Sequence, residues 1–164
     1  MSVLEVRHAA LHDPLVAPML AELDHEYRTR YGPRAGAEMT RYPAAEFAPP
    51  HGALLVLLDG GTPVAGGAFR RYDPDTAELK RIWTSGAHRR RGLARRVLAE
   101  LEAEARRRGY TRVYLTTGPR QPEATGLYLA TGYTPLYDLA LPAEQVGEHP
   151  FEKALPPRAD AGPG

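Results

Sequence analysis

The sequence has no cysteine, which excludes disulfides, thiolate metal ligands and a cysteine acyl-enzyme together. Serine is nearly absent too, only Ser2 and Ser85, so an acyl-serine intermediate has almost no candidate nucleophile. Acyl chemistry on this chain is therefore expected to pass directly from donor to acceptor. No apolar run approaches the roughly 18 residues that cross a bilayer, and Met1 to Ala10 carries charge where a signal peptide needs its apolar stretch. These two absences predict a cytoplasmic protein with no membrane partner. What is present is ordinary for a soluble domain: 43% hydrophobic and 25% charged residues in a chain of 164. One domain over residues 1–155 is expected, with a flexible tail at 156–164 rich in Pro, Gly and Ala.

The net charge of +1 hides an uneven distribution. Arg89, Arg90, Arg91, Arg95, Arg96 and Arg106 to Arg108 crowd together, while Glu22, Asp24 and Glu26 gather near the start. A compact basic patch suits a phosphorylated ligand, with a polyanion surface as the rival reading. The patch lacks interleaved aromatics, is confined to one loop and one helix end, and carries no nucleic-acid motif, so no nucleic-acid partner is expected. His8 and His12 have the spacing of a helical metal pair but precede the first predicted helix and lack a third ligand nearby. No metal site is expected.

Periodicity gives the element order. Leu4 to Arg7 reads as a strand. Asp13 followed by Pro14 is a helix start, and Gly32 followed by Pro33 stops a helix at about Arg30, with Pro18 delaying its regular part to near Ala17. From Gly32 to His51 prolines break the pattern, with one helical turn near Ala44 to Phe47, and a stretch this long suits a binding loop. Ala53 to Leu58, the Asp59-Gly60-Gly61 turn and Pro63 to Arg71 form a hairpin, and Thr76 to Thr84 a further antiparallel strand with Ala77, Leu79 and Arg81 alternating against Glu78, Lys80 and Ile82. Leu93 to Arg108 carries Leu93, Val97, Leu98, Leu101 and Ala105 on one helical face. Arg112 to Thr116 is a strand, Pro122 to Thr131 a helix, and Tyr133 to Leu139 and Pro150 to Ala154 close the sheet. The strand, helix, strand unit in the middle places one parallel crossover inside a mostly antiparallel sheet.

Between that strand and the amphipathic helix sits Arg89-Arg90-Arg91-Gly92-Leu93-Ala94. Gly92 lets backbone approach a ligand, the helix start offers unpaired N–H groups and a positive dipole end, and arginines add charge-assisted bonds to phosphate oxygens. This segment resembles the acetyl-CoA motif of the GNAT N-acetyltransferases: a Gln or Arg, two residues, Gly, one residue, then Gly or Ala. Upstream, Ala77 to Thr84 resembles the family's fourth strand; downstream, Glu123-Ala124-Thr125-Gly126-Leu127-Tyr128 with Thr131-Gly132-Tyr133 resembles the signature of its last helix. Three blocks match in order and spacing over about Leu54 to Tyr137.

The resemblance implies an α/β (α+β) GNAT fold: six to seven strands, mostly antiparallel, with a splay between the fourth and fifth and helices on both faces. It implies acetyl-CoA as co-substrate, with Ile82, Trp83 and Thr84 making backbone contacts to the pantetheine arm, Arg90, Arg91, Gly92, Leu93, Ala94 and Arg95 around the pyrophosphate, and Arg89 opening and capping the loop. Trp83 is large for its position and either shapes the acceptor side or faces the core. Gln121 stands where asparagine is frequent, which leaves its contact with the arm open.

An alkylamine with a reference pKa of about 10.4 needs about 4 to 5 kcal/mol to become neutral at pH 7, so a base or proton wire is expected. By resemblance that base is Glu78, acting directly or through water; the competing reading is a residue that pairs with Arg81 or Arg112. Tyr128 matches the family's tyrosine and is the expected general acid for the departing thiolate, against a purely structural ring. The acceptor pocket is expected from Tyr27 to His51 with Pro142 to His149, carrying Tyr27, Tyr31, Arg34, Arg41, Tyr42 and Phe47. Aromatics beside arginines suit a small-molecule primary amine with a carboxylate or ring. A protein or peptide acceptor and a non-catalytic acetyl-CoA sensor are the alternatives, and a homodimer is left open.

Overall fold

The computed structural model describes residues 3–89 and 91–157. Strands β1 (Leu4–His8), β2 (Ala53–Asp59), β3 (Thr62–Asp73), β4 (Thr76–Thr84), β5 (Arg112–Thr117), β6 (Thr134–Pro135) and β7 (His149–Ala154) form one sheet in the order β1-β2-β3-β4-β5-β7-β6. Neighbours are antiparallel except β4 and β5, which run parallel. Helices α1 (Ala17–Tyr31), α2 (Leu93–Arg107), α3 (Pro122–Ala130) and the one-turn α4 (Ala143–Val146) complete the chain. The expected mixed architecture is the one observed.

The helices cover both faces because β2 is apolar on both. Leu55 and Leu57 join a core with Leu93, Val97, Leu98 and Leu101 of α2, whereas Leu54, Val56 and Leu58 join a second core with Val16, Met19 and Leu23 at α1. Each fully buried leucine of the α2 stripe contributes about 1.5–3 kcal/mol as an upper bound. The start of α1 follows its capping chemistry: Asp13 Oδ1 accepts from the Leu15 amide at 2.8 Å, a 3-10 turn spans Pro14–Val16, and the α-helix begins at Ala17. Gly32, at φ 99°, ends it. The stretch that follows holds two 3-10 segments, Pro33–Thr40 and Ala44–Phe47, rather than one.

β4 does not alternate as its sequence pattern predicts. Ala77 and Leu79 face the α2 core, but beyond Arg81 it is Ile82 that packs there, and Trp83 is buried in the α1 core. The register explains the switch: Lys80 pairs with Ala68 and Trp83 with Gly66, so Arg81 and Ile82 together stand opposite Gly67. This is a β-bulge, with Arg81 at φ 61°. Gly67 belongs to the device, because a Cβ there would come within 2.8 Å of Leu101 Cδ1 and 2.9 Å of Ile82 Cδ1.

At the bulge the sheet opens. β4 and β5 pair only from Thr76, Ala77 and Glu78 to Arg112, Val113 and Tyr114, and beyond that register the strands part. Elsewhere the chain departs from expectation near its end. Of the strand predicted over Tyr133 to Leu139 only Thr134–Pro135 pairs in the sheet, since Tyr137 turns inward against His149 and Phe151. The unpredicted α4 is bounded by Pro142 and by Gly147 at φ 76°. Within the expected tail, residues 158–164 lie outside the described residues.

Candidate active site

The gap between β4 and β5 widens into a cleft of about 870 Å³ that runs from the start of α2 to the Pro33–Thr40 segment. One wall is nearly continuous in sequence. Ile82, Trp83 and Thr84 line it, followed by Arg89, Gly92 and Leu93, then Ala94 and Arg95. Gly92 sits at φ 72°, the left-handed region that costs other residues about 1–2 kcal/mol, and so turns the chain into α2 with its first N–H groups facing the cleft end. No atom comes within 4 Å of where a Gly92 Cβ would stand, so the glycine serves the backbone turn and not close packing.

One residue expected on this wall stands differently. Arg91 turns away from the cleft lining, its Nη1 lying 2.8 Å from His88 Nδ1 and its Nη2 donating to Asp59 Oδ2 at 3.4 Å. Arg90 lies outside the described residues. Trp83 resolves toward the core: it is 3% exposed, and its Nε1 has no hydrogen-bond partner among the described residues.

The opposite wall is assembled from separated segments. Tyr31 of α1 donates to Gln121 Oε1 at 3.1 Å, and the same oxygen accepts from the Gly118 amide at 3.1 Å and Thr117 Oγ1 at 3.3 Å. A Cβ at Gly118 would fall 1.9 Å from Tyr31 Oη, so any larger residue there must displace the Tyr31 ring. Arg30 and Arg120 each donate to the other's main-chain oxygen, at 2.8 and 2.9 Å. These bonds tie the end of α1 across the open end of the sheet. Gln121 is thus at the cleft, with its oxygen already committed to three protein donors.

Tyr128 lines the cleft from α3, its ring 5.6 Å from the centroids of both Tyr133 and Phe151. Burial, assisted by the nearby Tyr27, raises its phenol well above the usual tyrosine range, so it stays protonated at physiological pH. Tyr27 is raised for the same reason, with the Arg81 guanidinium opposing. Tyr31 is raised by burial against the Arg120 amide.

The structure does not place Glu78 on the cleft. Its side chain is 6% exposed, accepts from Arg70 Nη1 at 2.8 Å and lies 3.6 Å from Lys80 Nζ, partners other than the Arg81 or Arg112 considered from sequence. Among the acceptor candidates Tyr27, Tyr31 and Arg34 line the cleft. Arg41, Tyr42 and Phe47 do not. The Ala44–Phe47 turn buries Phe47 under α1, while Tyr42 is surrounded by Arg70 at 4.5 Å, Lys80 at 5.0 Å and Arg41 at 5.2 Å. In their place the cleft has Glu38, Lys80, Arg81 and Glu148, none singled out from sequence as pocket residues. The Gly66-Gly67 pair opposite the bulge was the one signal that could have found Arg81.

Among the described residues no group of three or more His, Cys, Asp or Glu side chains is placed to hold a metal ion, and no helix is long and apolar enough to cross a membrane.

With this geometry in view, residues 17–133 match the model of the acetyltransferase (GNAT) family. The chain belongs to that family. It is similar to the uncharacterized N-acetyltransferase YsnE of Bacillus subtilis (strain 168), 42% identical over 59 residues, a match spanning 35% of this chain and 39% of that relative. In fold it is similar to the PaiA N-acetyltransferase from Thermoplasma acidophilum in complex with coenzyme A, with TM-score 0.71, 14% identity and 93% and 99% of the two chains covered. The GNAT family acetyltransferase from Elizabethkingia anophelis with acetyl-CoA bound gives TM-score 0.62 at 14% identity, covering 93% and 98%. This member therefore has the family's sheet, with the parallel β4–β5 pair at its centre.

Proposed function

We propose that this chain is an acetyl-CoA-dependent N-acetyltransferase that moves the acetyl group directly to a primary amine of a small molecule. The observation that carries the reading is the end of β4–β5 pairing at Glu78 and Tyr114, which leaves two unpaired strand edges leading to the start of α2. An extended pantetheine arm satisfies the edge of β4 at Ile82 to Thr84 as an added strand would, and the α2 N-terminus with Gly92, Arg89 and Arg95 suits the pyrophosphate. The two neighbours bind coenzyme A and acetyl-CoA, which supports the same ligand here.

In the reaction the neutral amine attacks the thioester carbonyl, the C–N bond forms, the C–S bond breaks, and the amine loses a proton while the thiolate gains one. Tyr128, on the cleft and kept protonated by burial that also makes it a weaker acid, is the hydrogen-bond and proton donor to the thiolate once charge has developed on the sulfur. Glu78 is held by Arg70 and Lys80 away from the cleft, so the amine's proton leaves through cleft water toward Glu38 and Glu148, whose carboxylates line the acceptor side. With no cysteine and only two serines, no acyl-enzyme is needed. The test is a pair of measurements: acetyl-CoA must raise Tm, as a ligand selective for the native state does, and a panel of amines must release free thiol. No shift at millimolar coenzyme sinks the coenzyme assignment; a shift without thiol release from any amine favours a sensor.

A further inference from the structure

Lys80 and Arg81 are consecutive strand residues, which in regular β structure point to opposite faces. Here both cations approach the same atom, Glu38 Oε1, at 3.5 and 3.7 Å. The bulge brings this about. Arg81 takes φ 61° and shares one partner position with Ile82. Both side chains line the cleft and both are nearly buried, Lys80 at 9% exposed and Arg81 at 1%.

Neither cation has a carboxylate at good hydrogen-bond length, although Lys80 lies 5.0 Å from the Tyr42 ring and Arg81 stands beside the Tyr27 phenol. The carboxylate oxygens nearest Lys80, on Glu38 and Glu78, lie at 3.5 and 3.6 Å, beyond good hydrogen-bond length. Arg81 donates through Nη2 to the Glu38 main-chain oxygen at 2.7 Å, but its Nε is buried with no partner among the described residues. The carboxylates near the pair are shared or stand off it, and Glu26, which also lines the cleft, is drawn to Arg30. Arg41, Arg70, Lys80 and Arg81 share the carboxylates of Glu38, Glu46 and Glu78, the exposed Arg34 adds another cation to the cleft, and Glu148 offers a carboxylate at its rim.

We propose that this end of the cleft is a carboxylate subsite, and that the acceptor is a short amino acid whose carboxylate is bound by Lys80 and Arg81. Glu38, on the partly exposed 3-10 segment, supplies the anion while the acceptor is absent. The spacing sets the acceptor's size. If pyrophosphate sits at the start of α2, the arm runs back along β4 from Thr84 toward Ile82, and Arg81 is the next residue, one strand rise of about 3.3 Å further. An amine at the thioester then has a carboxylate site only a few atoms away. A protein N-terminus or a simple alkylamine brings no anion to that position and leaves two desolvated cations facing its ammonium.

This inference rests on the acetyltransferase reading, and the experiment separates the two. Thiol release from acetyl-CoA is measured with amino acids, their carboxamides, the corresponding decarboxylated amines and a peptide with a free N-terminus. Amino acids should exceed the others by at least about tenfold in kcat/KM, the scale of removing one partner of a desolvated charge pair. Lys80→Met should shrink that preference to about threefold or less through the acceptor KM, while Lys80→Arg restores it and the KM for acetyl-CoA holds in both. Arg81→Lys gives a second reading, with the acetyl-CoA shift in Tm reporting that each variant is folded. Equal or better rates with amides, simple amines or the peptide overturn the subsite and leave the acetyltransferase reading standing. A preference that survives in both Lys80→Met and Arg81→Lys also overturns it. Coenzyme binding without acetylation of any acceptor ends both readings.

Discussion

The two walls of the cleft are built on different principles. The wall between Ile82 and Arg95 comes from one stretch of sequence, and what it offers is chiefly backbone: an unpaired strand edge, a left-handed glycine and a helix start. The facing wall is made of side chains from α1, the Pro33–Thr40 segment, the β5–α3 loop and the turn before β7, held by ion pairs and hydrogen bonds between distant residues. Backbone groups recognise a constant ligand with little dependence on side-chain identity. Side chains from separated segments vary independently, so specificity can change on that wall without disturbing the other; the Lys80–Arg81 subsite, on β4 just before Ile82, is the exception.

The sharpest way to break the contrast is to damage the backbone wall at one atom. Gly92→Glu forces a side chain into the left-handed region and sets a negative charge at the phosphate end, and it should abolish the Tm shift with acetyl-CoA. Gly92→Ala should cost only the strain of about 1–2 kcal/mol, because space for its Cβ is open, and should retain a reduced shift. Tyr128→Phe acts between the walls: turnover should fall about a hundredfold or more with coenzyme affinity kept, and unchanged turnover would make the ring structural.

On the side-chain wall's support, Glu78→Gln should lower stability by about 1–3 kcal/mol in urea denaturation by weakening the hold on Arg70. Its effect on rate should be the same for strongly basic amines and for aryl amines, whereas a selective loss with basic amines would return Glu78 to the role of base. The smallest effect expected is one of pH. Burial raises the phenols of Tyr27, Tyr31, Tyr110, Tyr128 and Tyr133 above their ordinary value of 10.0. A raised folded value means that their contribution is complete below about pH 10 and is lost as pH climbs above it, since the unfolded chain ionises first. The urea midpoint should therefore fall between pH 9.5 and 10.5 by more than these groups change it between pH 7 and 8, where their contribution is flat.

Much of the backbone wall was legible because its signals are local: a glycine before an apolar helical stripe, arginines beside it, a strand ahead. The bulge was not, because reading Ala77, Leu79 and Arg81 as one face assumes a period of two, and a single extra residue reverses every position after it. A period of two puts Arg81 on a mixed strand face and gives Lys80 no place at a site. Tyr42 and Phe47 were chosen as aromatics in a loop, but residue type carries no information on which way a 3-10 turn aims a ring. The Arg30–Arg120 pair joins positions 90 residues apart, and no single-sequence pattern announces such a contact.

The clasp of α1 onto the β5–α3 loop has a consequence for how the molecule behaves in a crowded solution. A bare strand edge is ordinarily a template for sticking, since any passing strand can extend the sheet. The edges of β4 beyond the bulge and of β5 beyond Tyr114 are bare in this sense, yet they face each other across a cleft that Tyr31 and Gln121 line and that the mutually bonded Arg30 and Arg120 help to fix in width. A gap set between two strands of one sheet has room for a single thin chain and not for the broad edge of another sheet. The open seam on which ligand entry depends is thereby screened from becoming a seed for aggregation.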